Sequence, residues 1–192
     1  LVFNWYEGVE VGAEDGVQVT RWLDELGFTF TGADALTFQA TQDKLRTHRT
    51  LAAHAIPMPR SLPISEDSLR KWNHYPAIVQ VANEHGSESL TSQSVVHDPA
   101  GLCTRIRELR DAGFDHLMVS EFIEGREFTV SLWGNGSLQT LPLLEVDYSK
   151  YPPSLPRMRS TSAKWETDSP EYQLIKLILP PALAPELHNR IE

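Results

Sequence analysis

The feature that most limits the fold of this chain is a pair of apolar runs joined by a tight turn. Residues 128–132 alternate apolar and polar side chains, and residues 138–146 form a second strand-like run. The turn between them reads Gly134-Asn135-Gly136. Asn-Gly between two such runs is the strongest short-range signal for an antiparallel hairpin. The chain therefore needs an antiparallel sheet, which argues against a purely parallel α/β fold.

Helical and strand-like segments surround this hairpin. Apolar residues recur at helical spacing in 17–26 and 99–112, and residues 35–54 predict either one helix or two helices broken near Thr41. Residues 148–170 are loop-like in composition. Further strands are predicted at 1–4, 28–31, 77–81 and 117–123. Such a mixture predicts an α/β or α+β fold, and the hairpin favours α+β.

The composition excludes several classes of protein. The 192 residues carry 17 Lys and Arg against 26 Asp and Glu, a net charge of −9. This acidic balance argues against a general nucleic-acid binder, which needs a basic face. No stretch approaches the ~20 apolar residues of a membrane span, and no signal peptide is visible. The single cysteine, Cys103, rules out an intramolecular disulfide. We therefore expect a cytoplasmic protein in which Cys103 is an inert packing residue.

The common catalytic signatures are missing. The sequence has no Gly-x4-Gly-Lys-Ser/Thr phosphate loop and no His-Glu-x-x-His motif, and its 7 histidines show no metal-ligand spacing. Residues 85–89 approach the nucleophile elbow of a serine hydrolase but lack its second glycine. The residues alone therefore assign no catalytic residue and no metal ligand.

An ordered set of short segments is the strongest functional signal. The segments are Val2-Phe3-Asn4, Thr31-Gly32-Ala33, Gln42-Asp43-Lys44-Leu45-Arg46-Thr47, Pro76-Ala77-Ile78-Val79-Gln80, Glu84-His85-Gly86-Ser87-Glu88-Ser89, 120–130 and Ala163-Lys164-Trp165. In this order and spacing the chain resembles the ATP-grasp ligases, specifically the D-alanine–D-alanine ligase branch. The resemblance runs from the first residue to about Pro181, and it is most specific around Lys44 and in 121–130.

The resemblance implies a site for ATP, because these ligases join a carboxylate to an amine after ATP has phosphorylated the carboxylate. By resemblance, Lys44 reaches the ATP phosphates, and residues 86–91, with Gly86 and Ser87, form the flexible loop that closes over them. Lys164 resembles a second phosphate-side lysine, carried on a lid. Cations and N–H groups of this kind replace water around a triphosphate in a dry cleft.

The same resemblance implies where the nucleoside lies. Residues 120–123, which include Ser120, Glu121 and Ile123, resemble the hinge whose backbone pairs with adenine. Glu127 resembles the carboxylate that accepts hydrogen bonds from the ribose hydroxyls. Taken singly, these carboxylates would be ordinary strand-edge charges, and it is the ordered set that favours the binding roles.

The sequence departs from the family pattern beside the phosphates. The family's strand ends in Ile-Val-Lys-Pro, and its lysine binds phosphate oxygens, whereas this chain has Gln80 at that place. Gln80 can donate hydrogen bonds but carries no charge. A charge-assisted bond contributes roughly 1.5–3 kcal/mol, so ATP affinity is expected to fall about tenfold to a hundredfold. Ser89 also replaces a second glycine, which stiffens the loop.

The expected organisation is a partial ATP-grasp fold, matching the middle of such a ligase. Residues 1–40 would be the remnant of an amino-terminal α/β domain, 41–119 the central subdomain, and 120–192 an incomplete carboxy-terminal subdomain. The cofactor implied is ATP with magnesium, although the family's metal ligands would follow the helix that contains Glu186. Amino-acid-like substrates are implied for the parent enzyme. We also expect a homo-oligomer, because by resemblance the hairpin belongs to a sheet that needs later strands, and without them a strand edge is left open.

Two other classes of function remain open. The chain could be a non-catalytic nucleotide-binding or scaffold remnant, which the uncharged Gln80 favours. It could also be a small hydrolase that reuses the cleft with His85 or Glu127 in a new role. ATP binding, measured with and without magnesium, separates the ligase hypothesis from these two alternatives.

Overall fold

The computed structural model describes residues 1–6, 15–83, 87 and 89–191. Its helices are α1 (Gly16–Glu25), α2 (Ala35–Gln42), α3 (Lys44–Ala53), α4 (Glu66–Lys71), α5 (Pro99–Asp111), α6 (Thr161–Trp165), α7 (Pro170–Leu174) and α8 (Pro185–Ile191). Its strands are β1 (Ser61–Pro63), β2 (Ala77–Val81), β3 (Val95–Val96), β4 (Leu117–Glu121), β5 (Glu127–Thr129), β6 (Leu132–Trp133), β7 (Gln139–Thr140), β8 (Leu144–Asp147) and β9 (Lys176–Ile178). Within the described ranges, no helix is both long and apolar enough to cross a membrane.

Strands β1, β4, β2 and β3 form an antiparallel sheet in that spatial order, which we call the central sheet. In its two middle strands Val79 lies opposite Val119, and Val81 lies opposite Leu117. These side chains share one face because alternate residues of a strand point to the same side. The apolar stripe predicted for residues 99–112 is buried against that face in α5. The main core of the protein therefore lies between α5 and the central sheet.

Asp43 explains why residues 35–54 fold as two helices. Its backbone is extended, with φ −94° and ψ 105°, so it ends α2 and begins α3. The Asp43 carboxylate accepts a hydrogen bond from the Arg46 N–H at 3.1 Å and caps α3. The predicted break near Thr41 is confirmed, and it places Lys44 in the first turn of a helix.

The predicted hairpin is also confirmed. β5 pairs with β8 and β6 pairs with β7, both antiparallel, and β9 lies on the other side of β8. We call β5, β8 and β9 the carboxy-terminal sheet. At the turn, Gly134 has a φ of +128°, and a Cβ there would clash with the Ser137 carbonyl oxygen. Only glycine fits this position, which explains where the chain reverses.

The antiparallel sheets with separate helices confirm the α+β class. In place of the strands expected at 1–4 and 28–31, the structure has one isolated parallel bridge between Val2 and Phe30. The predicted domain boundaries after residues 40 and 119 fall inside α2 and β4. The division into domains stays a prediction.

Two local expectations about side chains and loops are corrected. Cys103 is exposed rather than packed, because it lies beside the buried stripe of α5 and not within it. Residues 148–170 are not wholly loop, because they contain α6. The Ser160 Oγ accepts a hydrogen bond from the Ala163 N–H at 3.1 Å and caps this helix.

Candidate functional site

The face of the central sheet opposite α5 carries the residues predicted for nucleotide binding. Gln80 of β2 lies opposite Met118, and Ser120 of β4 lies opposite Ile78, so all four share this face. Ser120 is 2% exposed, and its Oγ lies 3.0 Å from the Ser61 Oγ. The Ser120 side chain is therefore already used in a hydrogen bond between two strands of the central sheet. Gln80 is half-buried and brings an uncharged amide to this face.

Lys44 lies at the end of β2, beside the same face. Its backbone N–H donates to the Ala82 carbonyl at 2.9 Å, and its Nζ donates to the Val81 carbonyl at 2.9 Å. The first turn of α3 is thus attached to the strand that carries Gln80. The structure brings these two predicted residues to one end of the sheet.

The loop predicted to cover the phosphates is described only in part, and Gly86 lies outside the described residues. Ser87 has a φ of +68°, a left-handed conformation that residues with a Cβ rarely adopt. Farther along, the buried Arg105 of α5 donates from Nη2 to the Ser89 carbonyl at 2.7 Å and to the Ser94 Oγ at 3.2 Å. The end of the loop is therefore fixed to the central core.

The predicted hinge includes the end of β4 and the residues after it. The Glu121 N–H donates to the Arg60 carbonyl at 2.8 Å, and the Phe122 N–H donates to the Pro76 carbonyl at 3.0 Å. Among the described residues the Ile123 N–H has no hydrogen-bond partner, and the Ile123 side chain is 61% exposed. The Ile123 N–H is therefore accessible to a base, whereas the N–H groups of the two preceding residues are already used.

Glu127 lies on β5, opposite Val146 of β8. Tyr148 lies two positions beyond Val146, and its hydroxyl donates to the Glu127 Oε2 at 2.5 Å. Burial, and then the bond to Glu127, raises the pKa of Tyr148 above its ordinary value. Burial also raises the pKa of the neighbouring Tyr151 to about 12. Tyr148 therefore remains a hydroxyl donor at neutral pH and orients the Glu127 carboxylate.

Lys164 of α6 contacts the phosphate loop. Its Nζ donates to the Ser87 Oγ at 2.6 Å. The same short helix makes two further bonds to this region, from the Thr161 N–H to the Leu90 carbonyl at 2.8 Å and from the Thr161 Oγ1 to the Ser87 carbonyl. We call residues 159–165 the strap, because they join the carboxy-terminal half of the chain to the loop that follows β2.

Electrostatic contacts link the strap to the carboxy-terminal sheet. Burial lowers the pKa of Lys164, the nearby Arg159 guanidinium lowers it further, and the Glu127 carboxylate raises it. The structure therefore brings the predicted residues Glu127, Lys164 and Ser87 together, with Tyr148 and Arg159 beside them. We call Glu127, Tyr148, Arg159 and Lys164 the charge cluster.

Sequence reasoning missed Tyr148 and Arg159. Strand alternation could have found Tyr148, because it follows Val146 at the spacing of two that keeps it on the face of Glu127. No comparable signal exists for Arg159. Its position depends on the irregular chain between β8 and α6, which has no period to extrapolate.

A groove of about 390 Å³ lies beside the hinge. It is lined by Val95, His97, Phe122, Tyr151 and the loop 152–157, among others. In the described part of the chain, no group of three or more His, Cys, Asp or Glu side chains could hold a metal ion. The site therefore offers cations, hydroxyls and one oriented carboxylate, which suits a polyanionic ligand that carries a diol.

Comparison with known proteins finds no protein-family model that matches the chain. The chain is 29% identical over 156 residues to an uncharacterized protein of Sinorhizobium fredii, which covers 79% of this chain and 44% of that protein. It is 33% identical over 150 residues to a D-alanine–D-alanine ligase of Sphingopyxis alaskensis, which covers 74% of this chain and 46% of the relative. The chain thus spans somewhat less than half the length of these two curated relatives.

Solved structures resemble a larger share of the chain. The VanG D-Ala:D-Ser ligase from Enterococcus faecalis matches with a TM-score of 0.67 and 18% identity, over 96% of this chain and 49% of the other. A D-alanine–D-alanine ligase from Bacillus anthracis complexed with ATP matches with a TM-score of 0.61 and 18% identity, over 90% of this chain and 50% of the other. The protein therefore has part of the ATP-grasp fold. Its sequence further makes it D-alanine–D-alanine ligase-like, as the resemblance predicted.

Proposed function

We propose that this chain is part of an ATP-dependent carboxylate–amine ligase and binds ATP between the central and carboxy-terminal sheets. The names of its relatives and the ATP complex of a similar fold support this proposal. The observation that carries it is the 2.6 Å bond from the Lys164 Nζ to the Ser87 Oγ. This bond joins a lysine of α6 to the loop that would cover the phosphates in this proposal.

In this proposal the nucleoside binds along the hinge and β5. The Ile123 N–H donates to the adenine edge. The Glu127 carboxylate, oriented by the Tyr148 hydroxyl, accepts hydrogen bonds from the ribose hydroxyls. A carboxylate on a strand is held rigidly enough to recognise a diol, because the neighbouring strand and Tyr148 fix it from two sides.

The phosphates then lie toward Lys44, Gln80 and the strap. The Lys44 Nζ now donates to a neutral carbonyl, that of Val81, at 2.9 Å. A charge-assisted bond from Lys44 to a phosphate oxygen would be stronger than its bond to this carbonyl. Lys164 reaches the phosphates from the strap, and Gln80 supplies an amide N–H in place of the family's lysine.

The proposed cofactor is ATP with magnesium, and the phosphoryl group that ATP supplies would activate a carboxylate. We assign no metal ligand in this chain, so the ion would be held by phosphate oxygens and water as far as the described residues are concerned. The substrates we propose for the whole protein are amino-acid-like, by analogy with relatives named D-alanine–D-alanine ligase.

A second candidate is a binding module that retains the nucleotide cleft without ligase activity. The observation that favours it is Gln80, which stands half-buried and uncharged where the family pattern has a phosphate-binding lysine. Such a protein would bind ATP weakly and turn it over at no measurable rate.

Titration calorimetry with ATP and with adenosine tests the proposal. We expect weak ATP binding that magnesium strengthens, and weaker binding of both ligands by Glu127→Gln, because the ribose carboxylate is lost. Glu124→Gln is the matched control, since Glu124 is an exposed carboxylate in the same segment. No heat and no rise in melting temperature at millimolar ATP would rule the proposal out. Phosphate release in the presence of D-alanine separates a ligase from the binding module.

A further inference from the structure

Arg159 is held in a fixed position at the start of the strap. The residues on either side of it, Met158 and Ser160, are buried at 8% and 3% exposure. The Ser160 N–H donates to the Met158 carbonyl at 3.1 Å, and the Ser160 Oγ caps α6. The backbone at Arg159 is therefore anchored on both sides, and its half-buried side chain starts from a rigid base.

The Arg159 guanidinium lacks the partners that a buried cation normally has. Its Nε is buried and makes no hydrogen bond within the part of the chain that the structure describes. Buried donors are nearly always satisfied, so an unsatisfied one requires an explanation such as a ligand. Its known neighbours include Lys164, which has the same charge, and Tyr148, whose hydroxyl is already donated to Glu127.

The charges around Arg159 do not balance. Arg159 and Lys164 contribute two cations to the charge cluster, and Glu127 contributes one carboxylate. The ion pairs found among the described residues join Arg70 to Glu66, Arg105 to Glu108 and Arg126 to Glu145, so neither cation of the cluster takes part in one. Besides burial, the Arg159 guanidinium lowers the pKa of Lys164, so the two cations interact. Two like charges that interact in a half-buried site are costly unless an anion joins them.

We infer that Arg159 is an anion-binding residue that contacts the ATP phosphates together with Lys164. It would restore on the strap the positive charge that Gln80 lacks on β2. A guanidinium presents a planar fork of donors that matches phosphate oxygens, which suits Arg159 better than a lysine for this role. The identity of the ligand as ATP rests on the proposed function. The binding of an anion by Arg159 does not.

The test measures the affinities of four proteins for ATP, adenosine and inorganic tripolyphosphate by titration calorimetry. The proteins are the unmodified chain, Arg159→Gln, Arg159→Lys and the control Arg107→Gln. Arg107 is an exposed arginine of α5, so the control changes the net charge of the chain equally. We expect Arg159→Gln to weaken ATP and tripolyphosphate binding about tenfold to a hundredfold and to leave adenosine binding unchanged.

The conservative variant tests the geometry. Arg159→Lys should lose less affinity than Arg159→Gln, because it keeps the charge and loses the fork of donors. Circular dichroism and melting temperature establish that each variant is folded, and Arg159→Lys carries the test if Arg159→Gln does not fold.

The outcomes distinguish this inference from the proposed function. If ATP binds and Arg159→Gln and Arg107→Gln have equal affinities, Arg159 does not contact the phosphates and the inference is wrong while the function stands. If tripolyphosphate binds through Arg159 but ATP does not bind, the anion site stands and the nucleotide proposal is wrong. Binding of neither probe overturns both.

Discussion

The two sheets of this protein are stabilised in different ways. The central sheet is covered by α5, and its main core is apolar and nearly inaccessible to solvent: Val79 and Val119 are 0% exposed. The carboxy-terminal sheet has a small buried cluster of Val146, Tyr148 and Tyr151. Polar contacts supplement that cluster, such as the paired bonds of 2.6 and 2.7 Å from Arg126 to Glu145.

This difference separates the part of the chain that provides stability from the part that can adapt to a ligand. Apolar burial stabilises the central sheet without depending on the direction of individual bonds. Polar contacts such as those of the strap can instead be exchanged for contacts with a ligand. The candidate site lies where the two halves meet. The comparison therefore predicts large effects of core mutations in the central sheet and smaller, ligand-dependent effects elsewhere.

The largest expected effect comes from the core. Leu102→Ala removes a side chain that is 2% exposed beneath the central sheet and should lower the free energy of unfolding by about 2–5 kcal/mol. Leu177→Ala in β9 of the carboxy-terminal sheet, where Leu177 is 50% exposed, should change it by less than about 0.5 kcal/mol. Urea unfolding of both variants measures the contrast. Equal losses would contradict the comparison of the two regions.

The next largest effect is expected for substitutions that change the affinity for ATP. Gln80→Lys adds the phosphate cation that the family pattern has, and it should tighten ATP binding about tenfold to a hundredfold. Lys44→Ala should weaken it, and Lys71→Ala, which changes an exposed lysine of α4, should have no effect. Titration calorimetry measures all three. If Gln80→Lys and Lys44→Ala both bind like the unmodified chain, the phosphates lie elsewhere.

The exposed hairpin should promote self-association. Leu132, Trp133, Leu138 and Leu141 are all exposed, and Trp133 is 69% exposed. Burying such side chains contributes about 1.5–3 kcal/mol each, so a homo-oligomer is expected at micromolar concentration despite the net charge of −9. Trp133→Ser should weaken it by about tenfold, while Trp22→Ser in α1 serves as the control. Light scattering decides, and a clean monomer of the unmodified chain would contradict the expectation.

Alkaline pH should destabilise the carboxy-terminal sheet through its buried tyrosines. The pKa of Tyr151 is raised to about 12 in the folded state from an ordinary 10.0. The folded state therefore keeps the Tyr151 proton up to a higher pH than the unfolded state does. The stabilisation of the folded state that results is complete below pH 10 and is lost as the pH rises to about 12. Tyr151→Phe should lose less stability over that range, whereas Tyr172→Phe should behave as the unmodified chain does. Unfolding measured at pH 9 and pH 11 tests this, and parallel losses in all three proteins would contradict it.

The smallest expected effect is local. Residues 149–157, which precede the strap, should exchange their amide protons faster than β4 in the ligand-free protein, because Tyr151 is the one buried residue among them. Saturating ATP should slow exchange in the strap, and Lys164→Ala should reduce that slowing. Hydrogen exchange followed by mass spectrometry measures it. Protection equal to that of residues 117–121 without ligand would show that the segment is not mobile.

Much of the fold could be predicted because its signals are local. The apolar stripe of α5 and the Asn135-Gly136 turn each act within a few residues, and both were confirmed. The exposure of Cys103 was predicted wrongly, because helix membership alone does not say which side of the stripe a residue occupies. The site could be predicted only through the resemblance, since no single residue of it has a distinctive pattern.

The sequence by itself determined the α+β class, the positions of α1, α2, α3 and α5 and of the hairpin, and the identities of the charged groups. These follow from periodicity, capping and turn chemistry, which depend on neighbours in the chain. Only the tertiary structure decided which charges meet. Ser87 and Lys164 are far apart in the sequence and lie 2.6 Å apart between their polar side-chain atoms, and Tyr148 and Glu127 meet across two strands. Such contacts depend on how the strands pair and how irregular segments return to them, and the sequence pattern carries no period for either.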